Sequence, residues 1–507
     1  MMIPFLTALL VGNFGQNAFD PHWLRGLAPA TQVSQSRLQM ASNDTDVAQA
    51  AHVVLIEGLL KQGDMAATQK EAGAFESRYP GSTLVHRVRL YKAWAELGQG
   101  DQAGGVEDLA ELTVASSDRV VVSEARLSLK GLVKENKLEF ASAARLAANL
   151  PAGDSLQRDL KVMVKFDKAP VFLLLPSNGE FGELGRRVLQ GAQLELKRVN
   201  QPYVLLEETP DPAQTWKLLR AAVELARPKA IIGPMMSASA AVTAAGLATL
   251  APEVSLILPT ATSPGIAALA PHAWQLNFTT SAQGEAMARY AWNCLDVREA
   301  ALFFPQGDYG DGVAEGFRKA FTARGGRVFW QQSYPNGRTD FRAQLESLKR
   351  TWQQGRNKDN QSPVIFAPVE SSKEIQAIAS QLPGLAPVWL GSSGWHSQTF
   401  LKETSGKFDG AWLVTDYAPD DRRPEWRTFC QNYKQVFKEI PDRLAALGYD
   451  AARLALSVQG LAPNTPYAGA QGEIRFDGPS RHNTAVPFLK VTRKAFLVQS
   501  GDCTRKP

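Results

Sequence analysis

The residues of this chain that could do chemistry stand in short loops between apolar runs. Gly233-Pro234-Met235-Met236-Ser237 ends on a serine where a helix would start. Its hydroxyl is placed to cap exposed amides, and the same amides would suit a carboxylate or another anion. Leu258-Pro259-Thr260-Ala261-Thr262-Ser263-Pro264 offers two threonine hydroxyls and main-chain donors at a strand end, again suited to a small carboxylate. A plain structural turn fits that composition equally well. Pro305-Gln306-Gly307-Asp308-Tyr309-Gly310 sets an aromatic at a helix start, and Trp389-Leu390-Gly391-Ser392-Ser393-Gly394-Trp395 adds indoles and hydroxyls. Either could wall a cleft, although aromatic side chains mostly serve cores. The loop Pro176-Ser177-Asn178-Gly179-Glu180-Phe181-Gly182 is glycine-bearing, but its spacing is not G-x-G-x-x-G, so no nucleotide cofactor is expected.

Catalytic patterns are missing. There is no G-x-S-x-G elbow and no cysteine–histidine pair that spacing brings together, and scattered carboxylates such as Asp308, Asp311, Asp416 and Asp450 occur in any chain this long. The six histidines are far apart and the three cysteines form no C-x-x-C, so neither a metal site nor a cofactor is expected. A Cys294–Cys430 bridge stays open, because connectivity cannot be read from a sequence.

Two textures position these loops. From Asp46 to about Leu150 the pattern is helical and alanine-rich, punctuated by Gly63-Asp64, Tyr79-Pro80-Gly81-Ser82 and Gly98-Gln99-Gly100-Asp101. Turns recurring in this way suggest stacked helical hairpins resembling tetratricopeptide repeats, with a three-helix bundle as the alternative. Residues 1–45 read as a signal-like segment and a tether, and residues 151–169 as a linker. The first twelve residues resemble the apolar core of a secretory signal but lack its basic start.

After the linker, near-continuous apolar runs alternate with helical periods. Strands are predicted at 171–175, 203–207, 230–233, 255–258, 274–278, 300–304, 328–333, 364–367, 388–390 and 411–415, and helices at 183–200, 212–226, 237–250 and 311–324. Such strands belong to parallel sheets covered on both faces, and ligands of such sheets bind outside the strands' carboxyl ends. Ten strands exceed one ordinary core, so two α/β lobes are expected.

With 507 residues, 44% hydrophobic and 21% charged, the composition is that of ordinary globular domains and excludes a disordered or disulfide-framed chain. A net charge of +5 without a long basic block argues against nucleic acid as a partner. No apolar run reaches the ~18 residues of a membrane span.

From Val171 to about Val498 the order of motifs resembles the type I periplasmic solute-binding proteins, in the leucine/isoleucine/valine-binding branch. The likeness is carried by Leu175-Pro176 with Gly179, Gly185, Gly191 and Asn200, then Ile232-Gly233-Pro234, the Pro259–Pro264 loop and Gln283-Gly284. Asp308-Tyr309-Gly310, Thr339-Asp340-Phe341, Gly448-Tyr449-Asp450-Ala451 and Gly472-Glu473-Ile474-Arg475-Phe476-Asp477 complete it.

The resemblance implies a helical-repeat domain (46–150) followed by two Rossmann-like lobes, 170–279 with 416–470 and 280–415 with 471–500. Three crossings would join them, near Thr279-Thr280, Asp416-Tyr417 and Arg475–Asp477. It assigns Ser237, Thr260, Ala261 and Thr262 to an amino-acid carboxylate, and Tyr309 and Tyr449 to the cleft wall. Leu184 stands where the family has an aromatic, and Ser393 where it has the glutamate that receives the ammonium; Glu370 could take over that charge if it faces the cleft.

The domain order also resembles envelope activators of penicillin-binding proteins. The expected function is therefore a non-enzymatic, periplasmic or envelope-associated protein that regulates cell-wall synthesis through a penicillin-binding protein. The alternative is a substrate-binding protein that delivers an amino acid or related small carboxylate to a transporter permease. An enzyme on an α/β fold is the weakest reading.

Overall fold

The computed structural model describes residues 26–499, apart from positions 43, 136–137, 152, 164, 356–361, 383, 420–421, 458–463 and 479. The signal-like segment and Cys503 lie outside the described residues. By their contacts the residues form two units, 1–167 with 217–227, and 168–216 with 228–507.

In the first unit, glycine and aspartate build the same joint twice. Helix Thr45–Gln62 ends on Gly63 at φ 79° and helix Val85–Gln99 on Gly100 at φ 90°, left-handed conformations that glycine adopts without a Cβ penalty. The next residue then caps the following helix: Asp64 accepts from the Ala67 amide and Asp101 from the Gly104 amide, both at 3.0 Å. Helices Met65–Arg78 and Gln102–Ala115 therefore fold back on their predecessors, and Arg119–Lys134 and Phe140–Asn149 follow. Two contacts link residues 34 apart: Tyr91 OH donates to Glu57 at 3.5 Å and Trp94 Nε1 to Ser128 at 2.9 Å.

Two stretches expected to be irregular are helical. Pro29–Gln39 lies in the predicted tether, where its many glutamines and serines hide a buried side: Val33 packs with Leu55 and Leu59, and Gln32 Nε2 donates to the Val54 carbonyl at 3.0 Å. Ser155–Met163 lies in the predicted linker; its Leu156 and Leu160 are fully buried and Arg126 pairs with Asp154 at 2.8 Å.

One glycine in this unit does no structural work. Gly73, inside helix Met65–Arg78, has nothing within 4 Å of where a Cβ would stand. Gly73→Ala should stabilise the chain by about 0.5–1 kcal/mol, read from denaturation midpoints; destabilisation would show that this helix face is covered.

Among its described residues the second unit holds two large sheets and a two-stranded ladder. The first runs β2-β1-β3-β4-β5 and is all parallel, with β1 Val171–Leu175, β2 Tyr203–Glu207, β3 Ala230–Ile232, β4 Ser255–Leu258 and β5 Ala273–Gln275. The second contains the same order one lobe later, β7-β6-β8-β9-β10, formed by β6 Glu299–Pro305, β7 Arg327–Tyr334, β8 Val364–Phe366, β9 Val388–Gly391 and β10 Trp412–Val414. Against the first-lobe core, Tyr467–Ala468 (β11) and Glu473–Ile474 (β12) form a small antiparallel ladder, and Phe488–Val491 (β13) and Phe496–Gln499 (β14) extend the second sheet antiparallel.

Chain order and spatial order differ in the first lobe. Its core joins Val171, Leu173 and Leu175 to Leu447, Ala451, Ile474 and Phe476. Since Ile474 and Phe476 pack there, the third crossing is not at Arg475–Asp477. His482 still bridges Gln275, and the chain enters the second sheet only at Phe488.

Each lobe is pinned by glycines at a helix crossing. A Cβ on Gly191 would lie 1.9 Å from the Ala445 carbonyl oxygen, and one on Gly448 2.0 Å from that of Val188. In the other lobe, Gly284 meets Val313 at 2.0 Å and Gly316 meets Ser281 at 2.3 Å. Three of the glycines read from the sequence as family markers, Gly191, Gly284 and Gly448, are thus places where one helix backbone touches another.

Cys294 is disulfide-bonded and Cys430 is not, so the 294–430 bridge is excluded.

Candidate functional site

The carboxyl ends of both sheets face a cleft of about 1380 Å³. From the first lobe come Ser237, Thr260, Thr262, Ser263 and Asn277; from the second come Thr280, Gln283, Asp308, Tyr309, Glu370, Ser393 and His396. Asp416 and Tyr417, on the second crossing, and Arg443 close the rim.

The first-lobe wall is held by hydrogen bonds made behind it. Glu208 is buried and its carboxylate accepts from the Met235 and Met236 amides at 2.7 and 3.0 Å. Burial pushes its pKa up to about 7 against those donors. Thr260 Oγ1 donates to the Met235 carbonyl at 2.7 Å, and Gln275 Nε2 to that of Ala261 at 2.8 Å.

Ser237 does not cap its helix. Met236 is the N-cap residue and no side chain caps it. Ser237 Oγ instead accepts from the Thr262 and Ser263 amides, both at 3.3 Å, so it ties the two loops together.

The second-lobe wall is built on Gln283, which is 1% exposed. Tyr309 OH and Ser393 Oγ lie 3.0 Å apart, and both reach Gln283 Oε1, at 3.4 and 3.2 Å. Burial raises the Tyr309 phenol to about 12, so it stays protonated. His396 Nδ1 is 3.0 Å from Thr415 Oγ1 and its ring packs on Phe496. Burial lowers its pKa to about 4 despite Asp416, leaving a neutral ring at pH 7.

Charge is uneven around the cleft. The lining cations among the described residues are Lys319 and Arg443, against the carboxylates of Glu285, Asp308, Asp311, Glu315, Glu370, Asp416 and Asp442. Arg443 pairs with Asp416 and Lys319 with Glu315. Glu370 has a raised pKa, chiefly through burial, with the Arg443 charge acting the other way.

Six of the eight residues singled out from the sequence line this cleft: Ser237, Thr260, Thr262, Tyr309, Ser393 and Glu370. Ala261 is buried beneath the loop and contributes its carbonyl to the Gln275 bond. Tyr449 does not belong to the wall. Its ring lies in an aromatic cluster with Trp426, Phe429 and Tyr433, 4.9 Å from Phe429, because its helix turns that side toward Pro424–Phe437.

Arg443 and His396 were not singled out from the sequence; Thr280 was named only as part of the first crossing, and Gln283 only as part of Gln283-Gly284. Leu184 is 43% exposed and is not a lining residue.

The family model described as "Periplasmic binding protein" matches residues 171–466, more than half of the chain. This chain belongs to the periplasmic binding protein family. Its fold is the two-lobe type I architecture of that family, also found in a branched-chain amino acid ABC transporter crystal structure from Rhodospirillum rubrum. That likeness has a TM-score of 0.58 at 24% identity, over 66% of this chain and 100% of that one. A solute-binding protein of an ABC transporter from Rhodopseudomonas palustris HaA2, in complex with p-hydroxybenzoic acid, matches at TM-score 0.52 and 18% identity, over 65% and 95%. An ABC transporter substrate-binding protein from Desulfitobacterium hafniense, in complex with Leu, matches at 0.51 and 18%, over 66% and 100%. No curated protein matches this chain. No helix of this periplasmic binding protein, among the described residues, is long and apolar enough to cross a membrane.

Proposed function

We propose that this periplasmic binding protein captures a small polar solute between its lobes in the cell envelope and presents it to a transporter permease. One observation carries the reading: the cleft is lined from both lobes by hydrogen-bonding side chains, and no apolar side chain of the described residues fills it. Amino-acid and aromatic-acid ligands in relatives of the same fold support a ligand of that size. The disulfide at Cys294 fits an oxidising compartment.

Thermal unfolding with a panel of amino acids, small carboxylates, amines and short peptides tests this. A ligand at 100 times its Kd adds about 2.7 kcal/mol, so Tm should rise by several degrees for at least one compound, with lobe closure seen by small-angle scattering. A flat response across the panel overturns the capture reading.

The helical unit favours a second role, docking to a protein, as expected of an activator of penicillin-binding proteins. Its repeated glycine–aspartate joints and its contacts between residues 34 apart are of the kind that build stacked hairpins. Co-purification with a penicillin-binding protein, lost on deletion of the helical unit, would support cell-wall regulation; co-purification with a permease would support delivery.

A further inference from the structure

The cleft lacks what an aliphatic ligand needs. Among the described residues its lining has no Val, Leu, Ile, Met, Phe or Trp; Pro264, Pro441, Tyr309 and Tyr417 supply its apolar surface. Fully burying a leucine-sized side chain against apolar atoms is worth about 1.5–3 kcal/mol, and this wall would instead lose water from its own polar groups.

Its charges point the other way. Arg443 and Lys319 are each matched by a carboxylate, whereas Asp308 and Glu370 make no hydrogen bond or ion pair among the described residues. A second, independent feature comes from buried donors. Gln283, 1% exposed, spends its Oε1 on Tyr309 and Ser393, and its amide nitrogen has no partner among the described residues. Thr280, 6% exposed, lines the cleft with its hydroxyl equally unspent. Glu370 is next to this cluster: a Cβ on Gly394 would be 2.4 Å from the Glu370 Cα.

We propose that the cleft selects an amino acid with a second amine or guanidinium on its side chain, of the lysine, ornithine or arginine class. This rests on the capture reading and names its ligand. The ligand carboxylate meets Gln283 and the hydroxyls of Thr280, Ser237 and Thr262. The two cationic groups meet Glu370 and Asp308, whose charges a neutral side chain would leave unpaired. Both carboxylates are exposed in this structure, so it is closure of the lobes on a ligand that would bury them, and a buried charge is tolerated only when paired; an aliphatic side chain leaves them unpaired where a cationic one does not.

Calorimetric titration of the full chain with lysine, arginine, norleucine, leucine and cadaverine tests the proposal. Lysine or arginine should bind at least tenfold tighter than norleucine, which keeps the chain length and lacks the amine. Glu370→Gln and Asp308→Asn should each weaken lysine at least tenfold, with each variant's ligand-free Tm measured as its own reference, because Asp308 also stands in the first turn of its helix. Leucine or norleucine binding as tightly as lysine overturns the proposal but leaves capture standing. Cadaverine binding as tightly as lysine overturns the carboxylate contacts. Silence from every compound here and in the wider panel overturns capture itself.

Discussion

Gly448→Val should remove most of the folded clamp, with a loss of about 3 kcal/mol or more. The Cβ it adds would stand 2.0 Å from the Val188 carbonyl oxygen and 2.8 Å from its carbon. Both atoms are backbone, so no side-chain rotation relieves the clash, and helices Gly182–Arg198 and Arg443–Leu456 must separate. The same pair meets again at Gly191, so relief at one glycine strains the other. A denaturation midpoint close to wild type would show that this crossing is softer than its geometry. Gly73→Ala, expected to stabilise, controls for glycine replacement as such.

The second large effect depends on pH. Glu208 is fully buried and its pKa is raised from 4.5 to about 7, burial outweighing the Met235, Met236 and Ser239 donors. A carboxyl whose folded pKa lies above its unfolded value favours the folded state fully below about pH 4.5, and that contribution is lost as pH rises through 7. The difference corresponds to about 3 kcal/mol. Glu208→Gln has no such group, so between pH 4 and 8 the wild type should lose roughly that amount relative to the variant.

Asp450, raised to about 6 by burial, acts in the same direction. His396, lowered to about 4, acts oppositely: its contribution is present above its ordinary 6.5 and is lost as pH falls through 4. For this reason the comparison must be made against the variant and not read from the wild-type profile alone. Parallel wild-type and variant profiles across this range would mean that Glu208 reaches water.

Much of the clamp was legible because its strands are short apolar runs bounded by turns. β1, β2 and β4 fall on their predicted residues and the other parallel strands within a few residues. β11 and β12 are two residues each, too short for a period, and β13 carries Lys490 in a short strand that pairs antiparallel with β10 and β14. The loops after β3, β4, β6, β8 and β9 could be located because their strands could. Arg443 could not, since it begins a helix far along the chain and reaches the rim only through folding. Tyr449 failed for the opposite reason. Its sequence motif marks the Gly448 crossing, which fixes the helix but says nothing of where the ring points.

The composition of the first-lobe core has a bearing on synthesis. Val171 and Leu173 pack in one cluster with Ile474 and Phe476, so a nascent chain that has displayed β1 to β5 must wait for some two hundred further residues before that cluster is complete. Contacts so distant in sequence are slow to form and leave apolar strands uncovered meanwhile. A chain stalled on the ribosome before Phe476 therefore presents an unfinished, aggregation-prone sheet, and holdase chaperones should engage it there more than at any other point of its translation.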